Sequence, residues 1–242
     1  MQAIKTTGLT KRYKDITAVD NLDLEIREGE LFALLGVNGA GKTTTIKILS
    51  CLTQPTSGDA LVCGYSVTSE ADRIKRLIGV SPQETAVACG LSVRENLELI
   101  CGVHGFSKEK TESRIARIAE RLDLLDVLNR RAGKLSGGWQ RRVSIAMALI
   151  SEPKVLFLDE PTLGVDVIAR HDLWETIRAL KGEVTIILTT HYMEEAEALS
   201  DRVGIMKNGK LLAVGTVDEL KQGAGASDFE EAFISIVKES AV

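Results

Sequence analysis

The chain has 242 residues, enough to bury one large core, and its 44% hydrophobic and 26% charged residues exclude a disordered polypeptide. A formal net charge of -4, with no long run of lysine or arginine, argues against nucleic acid as a partner, because such binding needs a phosphate-neutralising surface. The four cysteines, Cys51, Cys63, Cys89 and Cys101, include no C-x-x-C pair, which argues against structural zinc or a disulfide framework and fits a reducing cytoplasm.

Residues 1–11 lack the apolar stretch of a signal peptide. Residues 2–13 can pair with the alternating run of Leu22, Leu24 and Ile26 around Asp23 and Glu25, which predicts an antiparallel β edge. Leu31-Phe32-Ala33-Leu34-Leu35 reads as a strand buried on both faces that stops at Gly36, with a helix over residues 41–52. Short strands at 60–63 and 78–80 flank a charged helix at 70–76. Ser92-Val93-Arg94-Glu95 has the form of a capping box, so a helix starts at Ser92. A second helix presents Ile115, Ile118, Ala119 and Leu122 on one face, and residues 84–151 read as mostly helical. Strand and helix then alternate: a strand at 155–158, a helix at 167–180, a strand at 184–189 and a helix at 192–199. Asn208-Gly209 predicts a hairpin between strands at 203–207 and 210–214, because both residues tolerate positive φ. The longest apolar runs, near 145–150 and 184–188, are far shorter than the ~20 residues that cross a bilayer.

Gly36-Val37-Asn38-Gly39-Ala40-Gly41-Lys42-Thr43 matches G-x-x-x-x-G-K-[ST] between a buried strand and a helix. In such a loop the backbone N–H groups wrap phosphates, Lys42 reaches the terminal phosphates and Thr43 offers its hydroxyl to Mg2+. Thr44 follows within the same expected binding segment. The strand Val155-Leu156-Phe157-Leu158 ends in Asp159, the candidate metal ligand, and Glu160 follows as the group to align the attacking water. Leu135-Ser136-Gly137-Gly138-Trp139-Gln140 opens an apolar helix, which makes a second anion site that a single nucleotide does not need.

Taken in order, these markers resemble the nucleotide-binding subunit of ATP-binding cassette transporters over nearly the whole chain. They are an aromatic at Tyr13, the Walker A loop, Gln83 in Ser81-Pro82-Gln83-Glu84, the signature at 135–140, the Walker B strand with Glu160, a D-loop at Thr162-Leu163-Gly164-Val165-Asp166, and His191. The resemblance implies an α/β fold, a P-loop NTPase (RecA-like) core with an antiparallel β edge and an inserted helical subdomain. Within a single domain of 1–242, the core covers 1–84 and 152–225, the helical subdomain 85–151 and a short C-terminal tail 226–242. It implies ATP and Mg2+ as cofactors and a head-to-tail dimer of two copies, or of one copy and a paralogous cassette. Each nucleotide would lie between one Walker loop and the other subunit's Ser136, Gly137 and Gly138.

By the same resemblance Tyr13 stacks on adenine, Gln83 senses Mg2+ and water, and His191 contacts the γ-phosphate. His104 and His171 have structural readings. Val37, Trp139, Val165 and Val167 depart from the usual family residues without removing a catalytic group. A transmembrane permease subunit would hold the chain at the inner face of the cell membrane. The wording of residues 78–84, 91–97 and 228–233 is similar to the prokaryotic type-2 exporters of drugs, peptides, lipids or glycans. The short stretch beyond the last cassette helix lacks the regulatory extension of many importers. The alternatives are a soluble cassette ATPase acting on nucleic acid or ribosomes, and a binding module without turnover. Finally, residues 85–91 are nearly uncharged, which predicts a docking surface around Val87 for the membrane partner, against inward packing of the same residues.

Overall fold

In a computed structural model, which describes residues 1–239, β1 (Gln2–Tyr13) and β2 (Ile16–Arg27) form a long antiparallel hairpin. β3 (Leu31–Leu35) follows, buried throughout, and leads through the glycine-rich loop into α1 (Lys42–Leu49). That helix is shorter than the predicted 41–52. Ser50 turns its hydroxyl back onto the Ile46 carbonyl at 2.7 Å and Cys51 takes a left-handed φ of 58°, which ends the helix. β4 (Ser57–Val62) and β5 (Tyr65–Ser66) complete the antiparallel sheet in the order β2-β1-β4-β5.

After α2 (Ala71–Lys75), β6 (Ile78–Ser81) enters a second sheet. The helical stretch holds α3 (Val93–Val103), α4 (Lys108–Arg121) and α5 (Gly137–Leu149), with two short 3-10 turns between the last two. Ser92 caps α3 with both halves of the capping box in place. β7 (Val155–Asp159), α6 (Val167–Arg178), β8 (Thr185–Thr190), α7 (Met193–Leu199), β9 (Arg202–Lys207) and β10 (Lys210–Gly215) restore the alternation. The six-stranded sheet runs β10-β9-β3-β8-β7-β6, parallel except for the β9-β10 hairpin. Asn208 and Gly209 make that turn with φ of 49° and 81°. Residues read as a tail contain α9 (Phe229–Glu239), which packs on α8 (Val217–Ala224) and buries Phe229 and Ala232.

Strand alternation divides the interior. Phe32 and Leu34 join Val155, Phe157 and Ile187 in a core shared with α1 and the antiparallel sheet, whereas Leu31, Ala33, Leu35, Leu156 and Leu158 face a second core with the helices. Val87 belongs to that second core at 8% exposure, and Asn96 fixes the adjoining backbone through Ala88 N and Ala88 O at 2.8 and 3.2 Å. The prediction that Val87 faces a partner is therefore corrected: its side chain completes the helical layer, because a small apolar residue beside α3 gains more from burial than from exposure, while Ala86, Cys89 and Gly90 of the same stretch are exposed.

Candidate functional site

The carboxyl ends of β3, β6, β7 and β8 converge on one side of the parallel sheet, where ligands of open α/β sheets bind. A cleft of about 640 Å³ lies there, and Asn38, Gly39, Ala40, Gly41, Lys42, Thr43 and Thr44 form one wall, with Gln83, Glu160 and His191 facing them. Gly41 permits the loop to close: its φ is 106°, and a Cβ would stand 2.3 Å from the Ala18 carbonyl oxygen. Gly36 and Val37 do not line the cleft but lend their carbonyls to Lys42 Nζ at 2.7 and 3.4 Å. No side chain caps α1, so the first turn of its backbone faces the cleft uncapped.

The charged residues form a chain. Lys42 Nζ lies 3.2 Å from Glu160 Oε1, and His191 Nδ1 lies 2.7 Å from Glu160 Oε2. Lys42 and Glu160 are each 5% exposed, so this pair works in a low-dielectric setting. Glu160 adopts a left-handed φ of 50°, while its N–H donates to Thr189 O and Thr189 Oγ1, both at 3.1 Å. Behind it, Asp159 Oδ1 accepts from Thr43 Oγ1 at 3.0 Å and Thr189 Oγ1 at 2.6 Å. A hydroxyl and a carboxylate beside a phosphate loop, with the Gln83 amide across the cleft, make a hard oxygen set. That set suits Mg2+, which is usually held by one or two carboxylates plus phosphates.

Ser136 N-caps α5 without a side-chain bond, and it and Gly137 are exposed, open to a neighbour. Gly138 differs: it is buried, and a Cβ there would stand 2.8 Å from Ala169 Cβ, so this glycine lets α5 pack on α6. Tyr13 is 44% exposed, faces Ile16 across the hairpin turn and lies under the Lys11 ammonium. The cleft wall there is made by Ile16, Thr17 and Ala18 rather than by the tyrosine.

Sequence reasoning missed Thr189, Asn208 and Arg141. Buried Arg141 donates to the Pro82 and Gln83 carbonyls, both at 2.7 Å, and so clamps the Gln83 segment to α5. Burial pulls its pKa down against the opposing charges of Asp159 and Glu195. No local pattern marks Thr189 or Arg141, and the Asn208-Gly209 turn signal does not reveal that Asn208 lines the cleft.

A family profile described as ABC transporter matches residues 19–163. The daunorubicin resistance ATP-binding protein DrrA3 of Streptomyces coeruleorubidus is 42% identical over 224 residues, 92% of this chain and 71% of that protein. The doxorubicin resistance ATP-binding protein DrrA of Mycobacterium tuberculosis is 42% identical over 226 residues, 92% of this chain and 68% of that protein. Among solved structures, an ATP-binding subunit of an ABC transporter superposes with a TM-score of 0.85 at 28% identity, covering 97% of this chain and 99% of that one. A dimeric ATP-binding cassette in a post-hydrolysis state with ADP and Pi superposes with a TM-score of 0.79 at 28% identity, covering 88% and 98%.

A glycine-rich loop between β3 and α1, with acids at the end of β7, defines a P-loop nucleotide hydrolase. This chain belongs to the ABC transporter family, in which it is an ATP-binding and ATP-hydrolysing subunit.

Proposed function

We propose that the chain is the motor of a drug exporter, working as a nucleotide-sandwich dimer on a transmembrane permease subunit at the inner face of the membrane. Names given to its relatives for daunorubicin and doxorubicin resistance support the export of drugs. No helix among the described residues is long and apolar enough to cross a bilayer, which is consistent with a separate membrane partner. The dimeric cassette of the same fold supports pairing, and exposed Ser136 and Gly137 are the residues that would reach a neighbour's nucleotide.

Within one subunit the loop from Gly36 to Thr44 holds the phosphates and Lys42 neutralises their charge. Thr43, Asp159 and Gln83 would hold Mg2+, which when bound supplies electrostatic stabilisation to the transferred phosphoryl group. Glu160 aligns the attacking water and accepts its proton, and His191 holds Glu160 from the far side and contacts the γ-phosphate. Tyr13 would stack on adenine. Residues 85–151 act as the helical subdomain that carries the signature.

The observation that carries this reading is the position of Glu160 between Lys42 and His191, at 3.2 and 2.7 Å, on the wall of the cleft. Glu160→Gln is expected to bind ATP normally and to lose roughly 100-fold or more in turnover, the loss typical of an acid–base group. Unchanged steady-state hydrolysis by that variant removes Glu160 from the mechanism.

A further inference from the structure

Next to the cleft lies a carboxyl group that the hydrolysis scheme leaves unused. Glu195 stands in α7, one helical turn past His191, with no exposed surface. Its Oε1 accepts from two other segments: Thr162 Oγ1 at 2.8 Å, from the loop that follows Glu160, and Trp174 Nε1 at 3.0 Å, from α6. Its Oε2 is buried with no hydrogen-bond partner among the described residues. A carboxylate in this setting would leave a charged oxygen unpaired, whereas a neutral acid accepts both bonds on its carbonyl oxygen and leaves only an uncharged hydroxyl unpaired, which costs less. Burial drives the Glu195 pKa up and the nearby Glu160 charge adds to this, against the hydrogen bonds from Thr162 and Trp174.

The segments joined here are those that must stay in register for the cleft to function. Glu160 and His191 reach each other from just past the ends of different strands, β7 and β8, and the loop after Glu160 exposes Leu163 and Gly164 while Thr162 is buried. We infer that Glu195 is a positioning residue: a hydrogen-bond acceptor that ties the 162–166 loop and α6 to α7, the helix that follows His191, and so holds Glu160 against His191. This rests on the roles given above to Glu160 and His191.

Steady-state ATP hydrolysis by the full chain tests it. Glu195→Gln keeps the acceptor oxygen and is expected to hold kcat within about twofold of wild type, whereas Glu195→Leu is expected to lose roughly 10-fold or more in kcat with KM for ATP unchanged, as for misplaced catalytic groups. Thr162→Val removes one of the two bonds at nearly constant volume, and it carries the test if Glu195→Leu does not fold. Its kcat is expected to fall in the same direction with its melting temperature retained.

The Trp174 indole N–H resonance, assigned by its loss in Trp174→Phe, is expected to move on adding Mg-ATP in wild type and Glu195→Gln and to stay put in Glu195→Leu. Wild-type kcat in folded Glu195→Leu or in Thr162→Val overturns the inference, as does a Glu195→Gln variant as slow as Glu195→Leu. Those results alongside an inactive Glu160→Gln would sink only this inference, whereas a fully active Glu160→Gln would sink the reading beneath it.

Discussion

A carboxyl with no exposed surface makes stability depend on pH in a direction opposite to that of most acids. The unfolded chain releases the Glu195 proton in the ordinary carboxylate range near 4.5, and the folded chain releases it only at higher pH. Between those two values the folded state binds more protons, so its stability is complete below the lower one and is lost as pH rises towards the upper one. A single group of this kind contributes a slope of about 1.4 kcal/mol per pH unit in that window. Urea unfolding across pH should therefore show wild type losing stability relative to Glu195→Gln above the carboxylate range. Parallel curves for the two proteins would mean that Glu195 is ionised in the folded state. The neighbours that bias this balance are Glu160, which favours the neutral acid, and Arg141, whose charge favours the carboxylate.

Among the elements, the loop between β6 and α3 has the clearest consequence. Val87 is in the core beside α3, so Val87→Asp should cost the isolated subunit about 3 kcal/mol or more, the scale of an unpaired buried charge, and lower its melting temperature sharply. An unchanged melting temperature would return the side chain to the surface. The misreading has a physical source: an uncharged loop looks alike whether it waits for a partner or packs on its own chain, and the deciding contact, Asn96 onto Ala88, comes from the following helix. The phosphate loop, the buried strands β3 and β7 and the Asn208-Gly209 turn were legible because each is written in consecutive residues. Thr189 was not, since it matters only through the parallel register that sets it opposite Asp159. Arg141 was hidden for the same reason, as the carbonyls it holds belong to a strand end far away in the chain. Gly138 was legible as a glycine but not as a packing residue, which required knowing that α6 crosses there.

At the scale of the whole molecule, Ser136 and Gly137 lie open while the exposed side chains of Leu163, Val167 and Ile168 stand along the loop and first turn of α6. In a sandwich dimer Ser136→Arg should leave nucleotide binding by the single subunit intact and abolish ATP-driven dimerisation, because the long cation would occupy the neighbour's phosphate region. Small-angle scattering on a Glu160→Gln background measures this, and an ATP-dependent dimer in the double variant would refute the arrangement. The order of the large sheet carries a further consequence. β3, which ends at the phosphate loop, lies between β8 and β9, and the β9-β10 turn closes over that loop through Gly209 N to Ala40 O at 3.0 Å. The strand that presents the loop thus acquires both of its neighbours only from segments made much later in translation. A nascent chain carrying every residue of the phosphate motif has not yet shaped it, so the cassette cannot spend ATP before its polypeptide has passed the final hairpin.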